Sequence, residues 1–170
     1  MAGAMARLAG LLAASAAAPG TTLPGARSVA VGWATVELDR AAAELAVELG
    51  IAAGAFEPAA DDVALGARCR LAPAAVAIPG GRVAVVLLEP STEGRLAATL
   101  ARHGEGPTAV WLVPGDRSSL ATAIADLRAA GIEVGPPRDG PLGSARLVLD
   151  GPTWGPFRFL LVDRTGTIAS

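Results

Sequence analysis

Histidine and cysteine are almost absent from this sequence of 170 residues, which holds one of each, Cys69 and His103. A single cysteine excludes an intrachain disulfide, and its place in an alternating run favours a small buried side chain over a reactive thiol. A structural zinc site draws on several Cys and His ligands, so the composition argues against one. His103 follows a helix-like segment, and a contact with the last helix carbonyls is favoured over an acid/base role.

Lysine, asparagine, glutamine and tyrosine are missing altogether, and all 14 basic residues are arginine against 16 acidic residues. Without a basic stripe, no nucleic-acid partner is expected. No uninterrupted apolar run reaches the length of a membrane span, so we expect no membrane partner and a cytoplasmic protein.

The first 27 residues allow several interpretations. A short Leu/Ala run after one arginine is a weak secretory-signal pattern, which keeps export as an alternative. Otherwise residues 1–27 are expected to be a leader and linker without fixed structure. Leu8, Leu11 and Leu12 could instead form one turn of a helix that packs on the body.

Residues 82–113 organise the remainder as a buried strand, a linker helix, a glycine turn and a second buried strand. Before them the pattern predicts a strand (29–36), a helix capped by Asp39 and ended by Gly50, a loop (53–62) and further strands (63–71, 75–78 and 82–88). After them it predicts a strand (108–113), a helix (117–130) capped by Asp116, a loop (135–143) and strands (145–149 and 158–163).

The two halves share an order of features. Each has a tryptophan on its first strand, then an Asp-Arg pair, then an Ala-rich helix that ends at Gly-Ile. The matching positions are Trp33, Asp39-Arg40 and Gly50-Ile51 in one half, and Trp111, Asp116-Arg117 and Gly131-Ile132 in the other. A duplicated unit explains this best. We therefore predict an α+β fold: two β-α-β-β-β modules (28–90 and 107–166), joined by a linker helix and turn (91–106), form a cupped mixed sheet around a central cleft.

Three phrases in the sequence resemble the vicinal oxygen chelate (glyoxalase-like) superfamily, and methylmalonyl-CoA epimerases in particular. They are LLEP (87–90), RHGEG (102–106) and LRAAGIEV (127–134). The resemblance implies metal ligands at four strand positions, which fall here at Ala30, Val86, Ala109 and Leu160. Since none of these side chains can donate to a metal, we expect no metal, no cofactor and no metal-dependent epimerase or glyoxalase activity.

Strand alternation applied to this fold predicts an apolar cleft with one aromatic wall and one guanidinium. The predicted ligand-binding residues are Trp111, Arg158, Ala30, Val86, Ala109 and Leu160; no catalytic residue is predicted. For Trp111 core filling is the alternative, and for Arg158 a pair with Glu89, Asp150 or Asp163, or a solvated strand end. Trp33 is expected under its helix, Trp154 at the cleft mouth or in a dimer contact, and Glu105 in a solvated turn.

Three functions stay open. The favoured one is a metal-free protein that binds a hydrophobic, anionic small molecule. The second is an enzyme of this superfamily, epimerase- or lyase-like and acting on an acyl-CoA. The third is an inactive paralogue that serves as a structural or partner subunit. A homodimer also stays open.

Overall fold

The computed structural model describes residues 3–17, 25–78, 81–115, 119–149 and 156–162. The helices in this part of the chain are α1 (Ala4–Ala17), α2 (Leu38–Leu49), α3 (Arg95–His103) and α4 (Leu120–Ala129). The strands are β1 (Arg27–Ala34), β2 (Glu57–Asp62), β3 (Ala67–Ile78), β4 (Gly81–Pro90), β5 (Gly106–Val113), β6 (Glu133–Arg138), β7 (Ala145–Leu149) and β8 (Phe157–Leu161). Among the described helices, each falls short of the length and hydropathy that a bilayer crossing demands.

The strands form one sheet in the order β2-β3-β4-β1-β5-β8-β7-β6. Within each half the first strand pairs in parallel with the last, β1 with β4 and β5 with β8. The two first strands pair antiparallel with each other at the centre of the sheet. The sheet curls into a half-barrel, so the predicted α+β fold of two β-α-β-β-β modules is confirmed.

Both ends of the sheet are short, polar strands in segments where the sequence pattern predicted loops. β2 contains Pro58 and three acidic residues, and β6 contains Pro136 and Pro137. Proline and charge are typical of edge strands because an edge needs few ladder hydrogen bonds and must not pair with other chains. The loop predictions over 53–62 and 135–143 were therefore partly wrong.

Helix boundaries follow capping groups that the sequence pattern only partly identified. Gly50 ends α2 with φ 65° and ψ 32°, the left-handed conformation that favours glycine, as predicted. Ser119, and not the predicted Asp116, caps α4 by accepting a hydrogen bond from the Thr122 backbone N–H at 3.1 Å. Asp116 itself lies outside the described residues.

Helix α1 packs against the body of the protein, which corrects the leader prediction for residues 4–17. Leu8 is fully buried in the apolar core. The guanidinium of Arg7 lies 4.7 Å from the ring centroid of Trp33, and the Ala4 backbone N–H donates to Glu48 Oε2 at 2.7 Å. The alternative of a packed helical turn containing Leu8 is the one that the structure shows.

The sheet separates two apolar clusters. On the outer face, α1, α2 and α4 pack over a cluster that includes Val31, Trp33 and Val110. On the inner face, α3 packs over a second cluster that includes Ala30 and Trp111. Trp33 and Trp111 thus lie on opposite faces, as the alternation predicted.

Candidate functional site at the inner face

Three of the predicted site residues lie together on the inner face at the centre of the sheet. Gly32 on β1 lies opposite Val86 of β4 on one side and Ala109 of β5 on the other. Ala30 lies two residues before Gly32 and belongs to the same inner cluster as Val86 and Ala109. All three side chains are fully buried, so the structure brings them to one place and covers them.

The fourth strand of this group, β8, has the opposite parity to the prediction. Leu160 pairs with Leu112 and belongs to the outer cluster, and Arg158 pairs with Val110 of that same cluster. Arg158 and Leu160 therefore do not lie on the inner face with Trp111. The physical reason is that side chains alternate along a strand, so a register error of one residue reverses every face assignment.

Phe157 and Phe159 occupy the inner positions of β8 instead. They pair with Ala109 and Trp111 respectively and are buried in the inner cluster. The sequence prediction omitted both residues. Their spacing was an available signal, since two phenylalanines separated by one arginine indicate a strand with an aromatic core-facing side.

The aromatic side chains fill the middle of the inner face. Trp111 stacks on Phe159 with ring centroids 5.0 Å apart and an interplanar angle of 8°. The exposed fraction of Trp111 is 0% and that of Phe159 is 1%. Such a pair contributes about 0.5–1.5 kcal/mol beyond its buried area. In this conformation the Trp111 side chain therefore fills the core, which was the alternative to ligand stacking.

Gly32 shows how closely the floor of the inner face is packed. A Cβ built at this glycine would lie 2.8 Å from the Ala109 Cβ, 2.9 Å from the Leu88 Cδ1 and 3.0 Å from the Trp111 Cζ3. Carbon atoms pack at about 3.5–4.0 Å. Glycine at this position is therefore a packing requirement, and the centre of the floor lacks room for one added methyl group.

Helix α3 and the β2–β3 turn cover the floor. Leu96 and Leu100 of α3 are buried in the inner cluster, as their spacing predicted, and Leu65 of the turn joins them. His103 is the last residue of α3 and is exposed, so it does not point into the inner cluster. Trp154, which was expected near the mouth, lies outside the described residues.

The side chains at the centre of the inner face are apolar. Hard cations need oxygen or imidazole donors that converge on one point. The inner positions on the four central strands carry alanine, glycine, valine, leucine, phenylalanine and tryptophan side chains. Over the described ranges, no group of three or more His, Cys, Asp or Glu side chains is arranged to hold a metal.

Two glutamates of the phrases LLEP and RHGEG hold the turn between β1 and α2. Glu89 Oε2 accepts a hydrogen bond from the Leu38 backbone N–H at 2.9 Å and so caps α2, while its Oε1 pairs with Arg68. Glu105 Oε1 accepts from Thr35 Oγ1 at 2.6 Å, from the Val36 N–H at 2.8 Å and from Arg40 Nη2 at 2.5 Å.

The interpretation of Glu105 as a solvated turn residue was therefore wrong. Burial opposes its ionisation, but the hydrogen bonds from Thr35, Val36 and Arg40 outweigh that effect and lower the pKa of the Glu105 carboxyl. Because Glu105 lies in the linker turn that leads into the second module and Thr35 directly follows β1, this contact ties the linker turn to the first module. Two of the three phrases that carry the family resemblance, LLEP and RHGEG, thus have structural roles here.

Comparisons with known proteins identify the fold. No protein-family model matches the chain. A comparison with curated proteins gives no match. Among solved structures, a methylmalonyl-CoA epimerase in complex with methylmalonyl-CoA and NH4+ is similar with a TM-score of 0.63 and 22% identity, over 84% of this chain and 97% of that one. The chain has the vicinal oxygen chelate fold.

Two further structures have this fold and a similar overlap. The methylmalonyl-CoA epimerase from Mycobacterium tuberculosis has a TM-score of 0.59 and 22% identity, over 78% of this chain and 85% of that one. A hypothetical protein from Bacillus halodurans has a TM-score of 0.59 and 16% identity, over 81% of this chain and 94% of that one. Vicinal oxygen chelate folds serve different functions, so the site must decide the activity.

Proposed function

We propose that this chain is a metal-free binding protein of the vicinal oxygen chelate fold, and that its ligand is an apolar small molecule taken up on the inner face. The observation that carries the proposal is the hydrocarbon floor formed by Ala30, Val86, Ala109 and the Trp111–Phe159 stack. A flat apolar ligand gains free energy on such a surface by burial and by aromatic contact.

The structure gives no reason to infer an anionic group on the ligand. That inference depended on a guanidinium in the cleft, and Arg158 lies on the outer face of the sheet. Specificity on the inner face then comes from shape and aromatic stacking.

Ligand entry requires α3 to move, because its leucines cover the floor. The helix has nine residues and begins and ends beside glycines, Gly94 and Gly104, with no side-chain cap at its first turn. A short helix of this kind depends on its tertiary contacts for stability. An apolar ligand that replaces the Leu96 and Leu100 contacts therefore offsets much of the free energy lost when α3 moves.

A thermal-shift titration with naphthalene and with propionyl-CoA tests the proposal, since a ligand that binds only the folded state raises the melting temperature by mass action. The Leu96→Ala variant opens space above the floor and is expected to bind naphthalene more tightly than the wild type. Leu45→Ala is the matched control, because Leu45 is equally apolar and buried but belongs to the outer cluster. Equal gains in both variants, or none in either, would contradict ligand uptake on the inner face.

A second candidate, a structural or partner subunit, is favoured by the complete burial of the floor within one chain. In that case neither probe shifts the melting temperature of any variant. The enzyme alternative has support in the solved epimerases of the same fold. It predicts exchange of the C2 hydrogen of methylmalonyl-CoA for deuterium by the purified protein, together with a stoichiometric divalent ion. Either result would overturn the metal-free proposal.

A further inference from the structure

Asp62 is a buried carboxylic acid at the junction between the two modules. Only 2% of this residue is exposed, although it ends the polar edge strand β2. Its Oδ1 accepts a hydrogen bond from the Leu65 backbone N–H at 2.9 Å and thereby shapes the β2–β3 turn. Its Oδ2 faces Gly140 of the second module, where an added Cβ would lie 3.2 Å from it.

The turn that Asp62 shapes is tied on two sides. The Val63 backbone N–H donates to the Asp139 carbonyl at 3.1 Å, which connects the turn to the segment between β6 and β7. The Ser91 backbone N–H donates to the Gly66 carbonyl at 2.8 Å, and the Ser91 hydroxyl donates to the same oxygen at 2.9 Å. The turn therefore touches both the second module and the segment that leads into α3, the helix over the inner face.

We propose that Asp62 is a pH-sensitive latch, which holds the β2–β3 turn closed over the inner face when it is protonated and loosens the turn when it is ionised. A neutral carboxylic acid is tolerated in this buried position, whereas a carboxylate is stabilised once the turn opens and water reaches it.

The surroundings of Asp62 provide two backbone N–H groups and no described cationic partner. Burial raises the pKa of Asp62 from 3.8 to about 6, and the hydrogen bonds from the Leu65 and Ala64 N–H groups only partly oppose this. The neighbouring titratable side chains are Cys69 on β3, Asp61 on β2 and Asp139 before β7. Burial raises the pKa of the Cys69 thiol to about 12, so it stays neutral. Asp61 and Asp139 are exposed.

Proton linkage gives the size of the effect. Opening returns Asp62 to water, so between pH 4 and pH 6 the opening equilibrium rises by at most about tenfold per pH unit and then levels off, roughly 100-fold in total. The inner face is therefore closed most firmly in mild acid and opens more often at neutral pH.

Cys69 reports the opening, because it is buried in the inner cluster together with Leu65 of the turn. The experiment measures the rate at which 4,4′-dithiodipyridine modifies Cys69 between pH 4.5 and pH 7, divided by the rate for the unfolded chain in the same buffer. This ratio is expected to rise roughly 20-fold over that range in the wild type. In Asp62→Asn, which keeps the acceptor for Leu65 but cannot ionise, it is expected to stay constant.

Asp61→Asn is the matched control, since it removes an equal charge from the adjacent, exposed position and should respond to pH as the wild type does. A constant ratio in the wild type, or an unchanged rise in Asp62→Asn, would overturn the latch. If the Asn variant fails to fold, hydrogen exchange of the Val63 amide in the wild type replaces this test. After correction for its intrinsic pH dependence, the exchange rate should rise with pH as the Cys69 ratio does, and a constant corrected rate would overturn the latch.

Neither measurement uses a ligand of the inner face. The latch could thus fail while apolar ligands still bind, and the proposed function could fail while the latch holds. Only the link between the latch and ligand entry rests on the proposed function.

Discussion

Replacing Gly32 by alanine tests whether the floor of the inner face is filled. The new Cβ would lie 2.8 Å from the Ala109 Cβ, which is attached to the backbone of β5 and cannot rotate away. Overpacking of this kind costs about 1–3 kcal/mol. Alanine is favoured over glycine in a strand by about 0.5–1 kcal/mol, so the net destabilisation is between about 0 and 2.5 kcal/mol.

Urea unfolding with a double-mutant cycle measures this effect and its cause. Gly32→Ala should lower the free energy of unfolding, and adding Ala109→Gly should restore part of it because the nearest obstructing methyl group is then gone. The expected coupling is about 1 kcal/mol, above the roughly 0.3–0.5 kcal/mol scatter of independent sites. Gly54→Ala is the control, since a Cβ there meets no atom within 4 Å. Additive effects of Gly32→Ala and Ala109→Gly would refute the filled floor, whatever the net stability of Gly32→Ala alone.

Three further predictions concern stability measured by urea unfolding. Leu8→Ala should cost about 2–5 kcal/mol because Leu8 is fully buried on the side of α1 that faces the core, whereas Met5→Ala on the exposed side of α1 should change stability by less than about 0.5 kcal/mol. The pKa of Asp62 is about 6 in the folded chain and 3.8 ordinarily, so the folded chain holds this proton more tightly and its stability falls as the pH rises from 4 to 6. The Asp62→Asn variant should lack this loss of stability, which reaches up to about 3 kcal/mol at pH 7.5 in the wild type. At pH 4 the substitution should change stability little. Glu105→Gln should cost about 1–2 kcal/mol by weakening its contacts with β1 and α2, and the exposed ion-pair partner Glu44→Gln should cost less than about 0.5 kcal/mol.

The elements that could be predicted are those whose signals are local. Leu96 and Leu100 lie one helical turn apart and are buried as that spacing requires, and the parity of β1 and β5 separated Trp33 from Trp111 correctly. The edge strand β2 could not be predicted in this way, because its proline and acidic residues are also typical of a loop. Whether such a segment forms a strand depends on the neighbour that pairs with it.

The face on which each candidate-site residue lies was predicted correctly on β1, β4 and β5 and wrongly on β8. The spacing of the phenylalanines in the short strand FRFLL favours an aromatic core-facing side, but leucine occurs on both faces, so the spacing alone does not fix the register. Only the pairing of Phe159 with Trp111 decides that the phenylalanines face inward and Arg158 outward. The roles of Glu105 and Asp62 were also missed, since their partners Thr35 and Gly140 are distant in sequence.

The amino-acid sequence by itself determined the duplicated α+β architecture and the hydrocarbon character of the strand positions where metal ligands were expected. Both depend on which residue types recur at which spacing, and that information is present along the chain. The tertiary structure alone decided that Trp111 is covered, that α1 belongs to the core and that Asp62 is buried between the modules. Burial is a relation between distant segments, so it arises only when the chain brings them together.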